Sequence, residues 1–73
     1  MEQNLRAVMK PANEIFSGEY LVGDTGNRAL VYEVKPSSSL PGLMAVETEF
    51  GFIYLDADPS QLFSVLTPVW DGR

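Results

Sequence analysis

Cysteine and histidine are both absent from the 73 residues. Without Cys there is no disulfide framework and no thiolate metal site, and the redox compartment leaves no mark on the sequence. Without His the commonest general base and the commonest metal ligand are missing. A nucleophile–His–acid triad, a zinc centre and a His-based acid–base pair are therefore excluded. Carboxylates, five basic residues, hydroxyls and tyrosines remain. Because most chemistry at neutral pH relies on a group tuned near pH 7, the expectation is a non-enzymatic protein with no cofactor and no metal.

Positive charge is also scarce. Ten acids against five bases give a net charge of −5. A duplex-binding protein gains affinity by neutralising phosphates with Lys and Arg, so direct duplex DNA binding is not expected. An acidic surface suits a basic partner, or serves solubility alone. Long apolar runs are missing as well: nothing approaches the ~18 residues a membrane helix needs. The opening "MEQNLRAVMK" carries an acid at position 2 and no apolar h-region, unlike a secretory signal. Those two features predict a cytoplasmic protein with no membrane partner.

Seventy-three residues suffice for one domain, near the lower limit for burying a self-sufficient core. What the chain has in quantity is strand pattern. "YLVGDTGNRALVYEV" (20–34) holds two β-rich runs around Gly23-Asp24-Thr25-Gly26-Asn27, a stretch of turn residues, and reads as a hairpin. In its second arm Leu30, Tyr32 and Val34 fall on one face, and Ala29, Val31 and Glu33 on the other. "GLMAVETEFGFIYLDAD" (42–58) gives two more strands with a bend or bulge at Gly51. Pro59, between Asp58 and Ser60, predicts one turn of 3₁₀ helix over 58–61, after which "LFSVL" (62–66) closes the sheet. "NLRAVMK" (4–10) fits either a helical turn or a strand; a first strand near 5–9 is preferred because a barrel needs it. Pro11 ends it in either case.

The fold expected is all-β, a small five- to six-stranded SH3-like barrel with a one-turn 3₁₀ helix before the last strand. Its core draws on Tyr20, Val22, Leu30, Tyr32, Val34, Met44, Val46, Ile53, Leu55, Phe63 and Val65. Residues 1–73 form a single domain, with flexible arms at 1–4 and 71–73. "KPSSSLPG" (35–42) reads as a mobile loop rather than a linker.

No constellation carries a specific chemistry. Glu47 and Glu49, two apart on a strand, would share a face about 7 Å apart. They could pair for glycoside chemistry or hold a hard cation, but a solvent-facing acidic row that discourages aggregation is the preferred reading. Asp56 and Asp58 resemble part of a calcium loop yet lack its Gly and distal Glu. "GDTGN" lacks the P-loop spacing and a following helix. Tyr20, Tyr32 and Tyr54 lie near acids, as in aromatic grooves that bind Pro-rich peptides or cationic side chains. The same rings could stack single-stranded bases, but Arg6, Lys10, Arg28 and Lys35 are few and scattered. Trp70, in "TPVWDGR", either folds back or serves as an interface anchor. The candidate partner-binding residues are thus Tyr20, Tyr54, Trp70, Glu47 and Glu49.

In length, acidity, lack of His and Cys, and expected compact β-barrel with free termini, the chain resembles the small acidic proteins that bacteriophages encode to redirect host machinery. Regulators of RNA polymerase and inhibitors of host defence complexes are of this kind. The likeness is one of class and transfers no functional residue. It implies a non-enzymatic regulator or inhibitor, phage or mobile-element encoded, that occupies a basic surface of a larger host complex in the host cytoplasm. A peptide-groove module of SH3 or Tudor type is the alternative, and a single-stranded nucleic-acid binder the third.

Overall fold

A computed structural model describes residues 4–69. Six strands follow in order: β1 (Asn4–Lys10), β2 (Tyr20–Val22), β3 (Arg28–Pro36), β4 (Leu43–Thr48), β5 (Gly51–Asp56) and β6 (Phe63–Val69). They form one antiparallel sheet in the order β1-β6-β2-β3-β4-β5. The chain is all-β, and "NLRAVMK" is a strand. Asn4, placed in a flexible arm by the sequence, begins β1 opposite Val69. Trp70 and the remainder of both expected arms lie outside the described residues.

The sheet is not closed. Among the described residues β1 and β5 stand at its two ends and do not pair with each other, so the expected barrel is not formed. β3 is the long element that joins the halves, pairing with β2 through Arg28–Leu30 and with β4 from Val31 onward.

The 3₁₀ helix is also elsewhere. It spans Ala12–Glu14, where Pro11 sets the first turn and two successive i→i+3 bonds form: Glu14 N–H to Pro11 O at 3.0 Å and Ile15 N–H to Ala12 O at 3.2 Å. At 58–61 there is one such bond, Gln61 N–H to Asp58 O at 3.0 Å. The Asp58 carboxylate takes the Ser60 N–H itself, which leaves a β-turn in place of a helical turn.

A bulge at Tyr32 decides which residues form the core. Val31 pairs with Thr48 and Glu33 with Glu47, so two steps on β3 match one on β4. The extra residue inverts the phase of the strand. Before it, Ala29 and Val31 face inward, with Leu21 opposite Ala29 and Val65 opposite Leu21. After it, Val34 faces inward opposite Val46. The buried cluster is accordingly Ile15, Leu21, Val31, Val46 and Val65, flanked by the partly buried Val8, Val34, Leu55 and Phe63. Each fully buried aliphatic side chain contributes about 1.5–3 kcal/mol. Tyr32 and Ile53, expected in the core, are exposed. Tyr20, Val22 and Leu30 are only partly covered, because the inward phase upstream of the bulge belongs to their neighbours. Met44, in phase with the buried Val46 but near the start of β4, is partly covered too.

The serine-rich loop is shorter than expected, since Lys35 and Pro36 belong to β3. Ser37–Gly42 is stitched by Ser37 N–H to Leu43 O at 2.9 Å and Leu40 N–H to Ser37 Oγ at 3.0 Å. No helix of the described residues is long and apolar enough to cross a membrane.

Candidate functional site

Large apolar side chains that a 73-residue chain could have used for its core stand instead at the surface. Their distribution is uneven. Met9 of β1, Phe50 at the β4–β5 turn, Ile53 of β5 and Leu62 just before β6 are all exposed, and all line one cleft of about 840 Å³. Phe50 is the extreme case at 78 %. The β2–β3 hairpin supplies the far wall, including Asp24 and Arg28 as its charged groups. Residues of both sheet edges therefore border the same opening.

Local chemistry fixes each wall. The hairpin turn is closed by Gly23 N–H to Asn27 O at 2.7 Å and Gly26 N–H to Gly23 O at 3.0 Å, with Gly26 at φ 84°. Phe50 is held out by a two-residue turn. Thr48 Oγ1 accepts the Phe50 N–H at 3.1 Å and donates to Gly51 O at 2.8 Å, while Gly51 takes φ 110°. Met9 is one residue from Lys10, whose ammonium is anchored to Glu19. Lys10 Nζ donates to Glu19 Oε2 at 2.6 Å, and the Phe16 N–H donates to Glu19 Oε1 at 3.0 Å. Glu19 is fully buried. The Lys10 ammonium also lies 4.2 Å from the centroid of the Phe16 ring, a cation–π contact that further offsets its desolvation.

The predicted partner-binding residues do not gather in this cleft. Tyr20, at the start of β2, is half-buried, and the Arg28 guanidinium lies 5.7 Å from its ring centroid. Tyr54 is exposed on β5, with β3 and β4 between it and β2. Trp70 is outside the described residues. Glu47 and Glu49 share no strand face, because β4 ends at Thr48. Glu47 sits across from Glu33 and Phe52. Glu49 occupies the turn, where its carboxylate accepts the Leu30 N–H at 3.0 Å and its own N–H donates to Leu30 O at 3.1 Å. It prolongs the β3–β4 ladder past the bulge, a structural task the spacing concealed.

The residues that sequence reasoning missed are Met9, Phe50 and Leu62. Only Phe50 carried a signal: an aromatic immediately before a glycine, at the point where the strand pattern breaks.

The chemistry available in the cleft is apolar contact with a little charge. Among the described residues no three His, Cys, Asp or Glu side chains converge as metal ligands. Asp58 has a carboxyl held below the ordinary aspartate value, chiefly by the Ser60 backbone N–H and then by the Ser60 hydroxyl. It is fully exposed and is absent from the cleft lining.

Comparison with protein-family models, with curated proteins and with solved structures returns no match.

Proposed function

We propose that the chain is a non-enzymatic recognition domain that binds a protein partner through the cleft bordered by Met9, Phe50, Ile53 and Leu62. The carrying observation is the convergence of those exposed apolar side chains on one opening of about 840 Å³. Exposed apolar patches of this kind in small proteins mark contact surfaces. Apolar anchors seated at the centre of an interface supply most of its binding energy. The absence of Cys and His favours recognition over catalysis.

On this reading the sheet is an SH3-like barrel left open between β1 and β5, the opening serving as the binding site. The partner is a protein with a basic surface, because the chain carries −5 and opposite charge steers encounter. The class resemblance suggests where such a partner is met: a phage-encoded regulator acting on a host complex such as RNA polymerase.

The test is a capture experiment from bacterial lysate with the full chain and with Phe50→Asp, read by mass spectrometry. A basic protein retained by the parent chain, lost with the folded variant, and released as salt rises supports the reading. Equal capture by both chains, or capture indifferent to salt, sinks it.

A further inference from the structure

We infer that the free edge of β5 pairs with β5 of a second copy of this chain, giving a two-fold symmetric dimer centred on Ile53. The two sheet edges differ in how they are protected. β1 carries Arg6 and Lys10 within its seven residues, the kind of charge that discourages strand pairing. β5, "GFIYLD", has no charge before Asp56 at its end and no proline. Its exposed side chains are Phe52, Ile53 and Tyr54, with Phe52 at 56 % and Tyr54 at 45 %. Phe52, Ile53, Tyr54 and Leu55, four uncharged residues of high strand propensity on a strand unpaired along one side among the described residues, form a template for another strand.

The hydrogen-bond phase shows which groups are offered. Ala57 N–H donates to Gly42 O at 3.0 Å. Carried back along the β4–β5 register, this makes Met44/Leu55, Val46/Ile53 and Thr48/Gly51 the bonded pairs. The N–H and C=O groups of Phe52 and Tyr54 therefore point away from β4, toward the open edge.

A second copy meets these requirements better than an unrelated strand, because the pattern around Ile53 is self-complementary. An antiparallel pair centred there places Ile53 beside its own counterpart. Phe52 then lies opposite Tyr54 of the other copy, twice over, as bonded pairs. Aromatic cross-strand pairs are among the favourable ones. The same register sets Leu55 against Gly51 and keeps the two Asp56 carboxylates well apart. Centring on Tyr54 instead would bring Asp56 inside the paired strand against Phe52, whereas the Ile53 register leaves it at the margin, opposite the turn residue Phe50. Such an interface is isologous and closes at two copies, whereas β5 pairing with β1 of another copy would be head-to-tail and propagate.

The dimer shares Ile53 with the proposed cleft, so a second copy and the proposed partner compete for the β5 edge, and the two have opposite salt responses. Two chains of −5 repel, so salt strengthens the dimer by screening, while it weakens capture of a basic protein. A six-residue edge falls at the small end of the interface range. Sedimentation equilibrium of the full chain is expected to shift from monomer to dimer between about 10 and 500 µM. Tyr54→Pro removes an N–H that makes no bond to β4, together with the ring that would face Phe52 of the other copy, and is expected to abolish the shift. Phe52→Lys, which leaves the backbone intact, is expected to weaken it at least tenfold.

Because the chain has no cysteine, single thiols report the register. Ile53→Cys faces its own counterpart in a non-bonded pair, the spacing a disulfide accepts. It should oxidise to covalent dimer at least tenfold faster than Leu55→Cys. A monomer throughout that concentration range, species larger than dimers, weakening by salt, or equal oxidation rates for the two thiols would each overturn the inference.

Discussion

Lys10 and Glu19 meet at 2.6 Å with the glutamate side chain fully buried and the lysine side chain one-fifth exposed. The contact joins the end of β1 to the residue preceding β2. It straps down the intervening segment with its 3₁₀ helix and the buried Ala12 and Ile15. Glu19 lies within the part of the chain that also bonds to β3, through Val31 N–H to Glu19 O at 2.8 Å. One ion pair thus ties three strands.

The two partners are unequal, and so should be their substitutions. Lys10→Met leaves a fully buried carboxylate with the Phe16 N–H as its remaining donor. Breaking a buried pair in this way costs about 3–5 kcal/mol, and solvent access on the Lys10 side places the expectation near the lower end. Glu19→Gln keeps an oxygen for the Phe16 N–H and frees an ammonium that can reach water and Glu14 O. Its expected cost is about 1–2 kcal/mol. Urea denaturation followed by circular dichroism checks the order. Equal losses, or a greater loss for Glu19→Gln, would show that the carboxylate's burial is not what the pair is offsetting.

Strand positions were legible in the sequence because they rest on local pattern. The hairpin around Gly23–Asn27, the strand–glycine–strand break at Gly51 and the stop at Pro11 all come from residues whose backbone preferences act without distant help. Which side faced inward was not legible in the middle of the chain. Alternation in "RALVYEV" supports either phase, and only the pairing of Val31 with Thr48 and Glu33 with Glu47 reveals that Tyr32 is the extra residue. That slip exchanged Leu21 and Val31 for Tyr20 and Tyr32 in the expected core. The candidate site suffered for the same reason. An exposed Met9 or Leu62 looks in sequence like any core residue, while Phe50 was marked only by the glycine that follows it, and the cleft they border belongs to a sheet that stops short of closing. Glu19 was hidden too, since its partner is nine residues away and the strap between them follows no periodic rule.

Gly51 carries the β4–β5 turn at φ 110°, and a Cβ there would meet nothing within 4 Å. Gly51→Ala therefore probes backbone strain without a steric clash. A left-handed conformation costs a residue with a Cβ about 1–2 kcal/mol, which is the loss expected. Gly23→Ala is the matched comparison: its φ is not in that region and its added Cβ would lie 3.7 Å from Asn27 O, an ordinary contact. It should stay within about 0.5 kcal/mol of the parent. Denaturation midpoints of the two variants measure the difference, and equal values would mean the turn at Phe50 rearranges freely.

Asp58 gives the turn before β6 a pH response. Its Oδ1 accepts the Ser60 N–H and the Ser60 hydroxyl, each at 2.9 Å, and these bonds favour the ionised form. The folded carboxyl therefore titrates below its unfolded value. For a carboxyl shifted in this direction, the stabilising contribution is present above the unfolded pKa and fades as pH falls through the folded one. The turn should accordingly stay closed through the ordinary aspartate range and loosen only below it. NMR titration of the Asp58 carboxyl carbon is expected to give a midpoint below that of Asp in an unstructured peptide. Ser60→Ala, which removes the smaller of the two bonds and leaves the backbone donor, should bring the midpoint part of the way back. A Ser60→Ala midpoint equal to the parent's would assign the whole shift to the backbone N–H. A parent midpoint at the peptide value would mean the carboxylate is not held by Ser60 in solution.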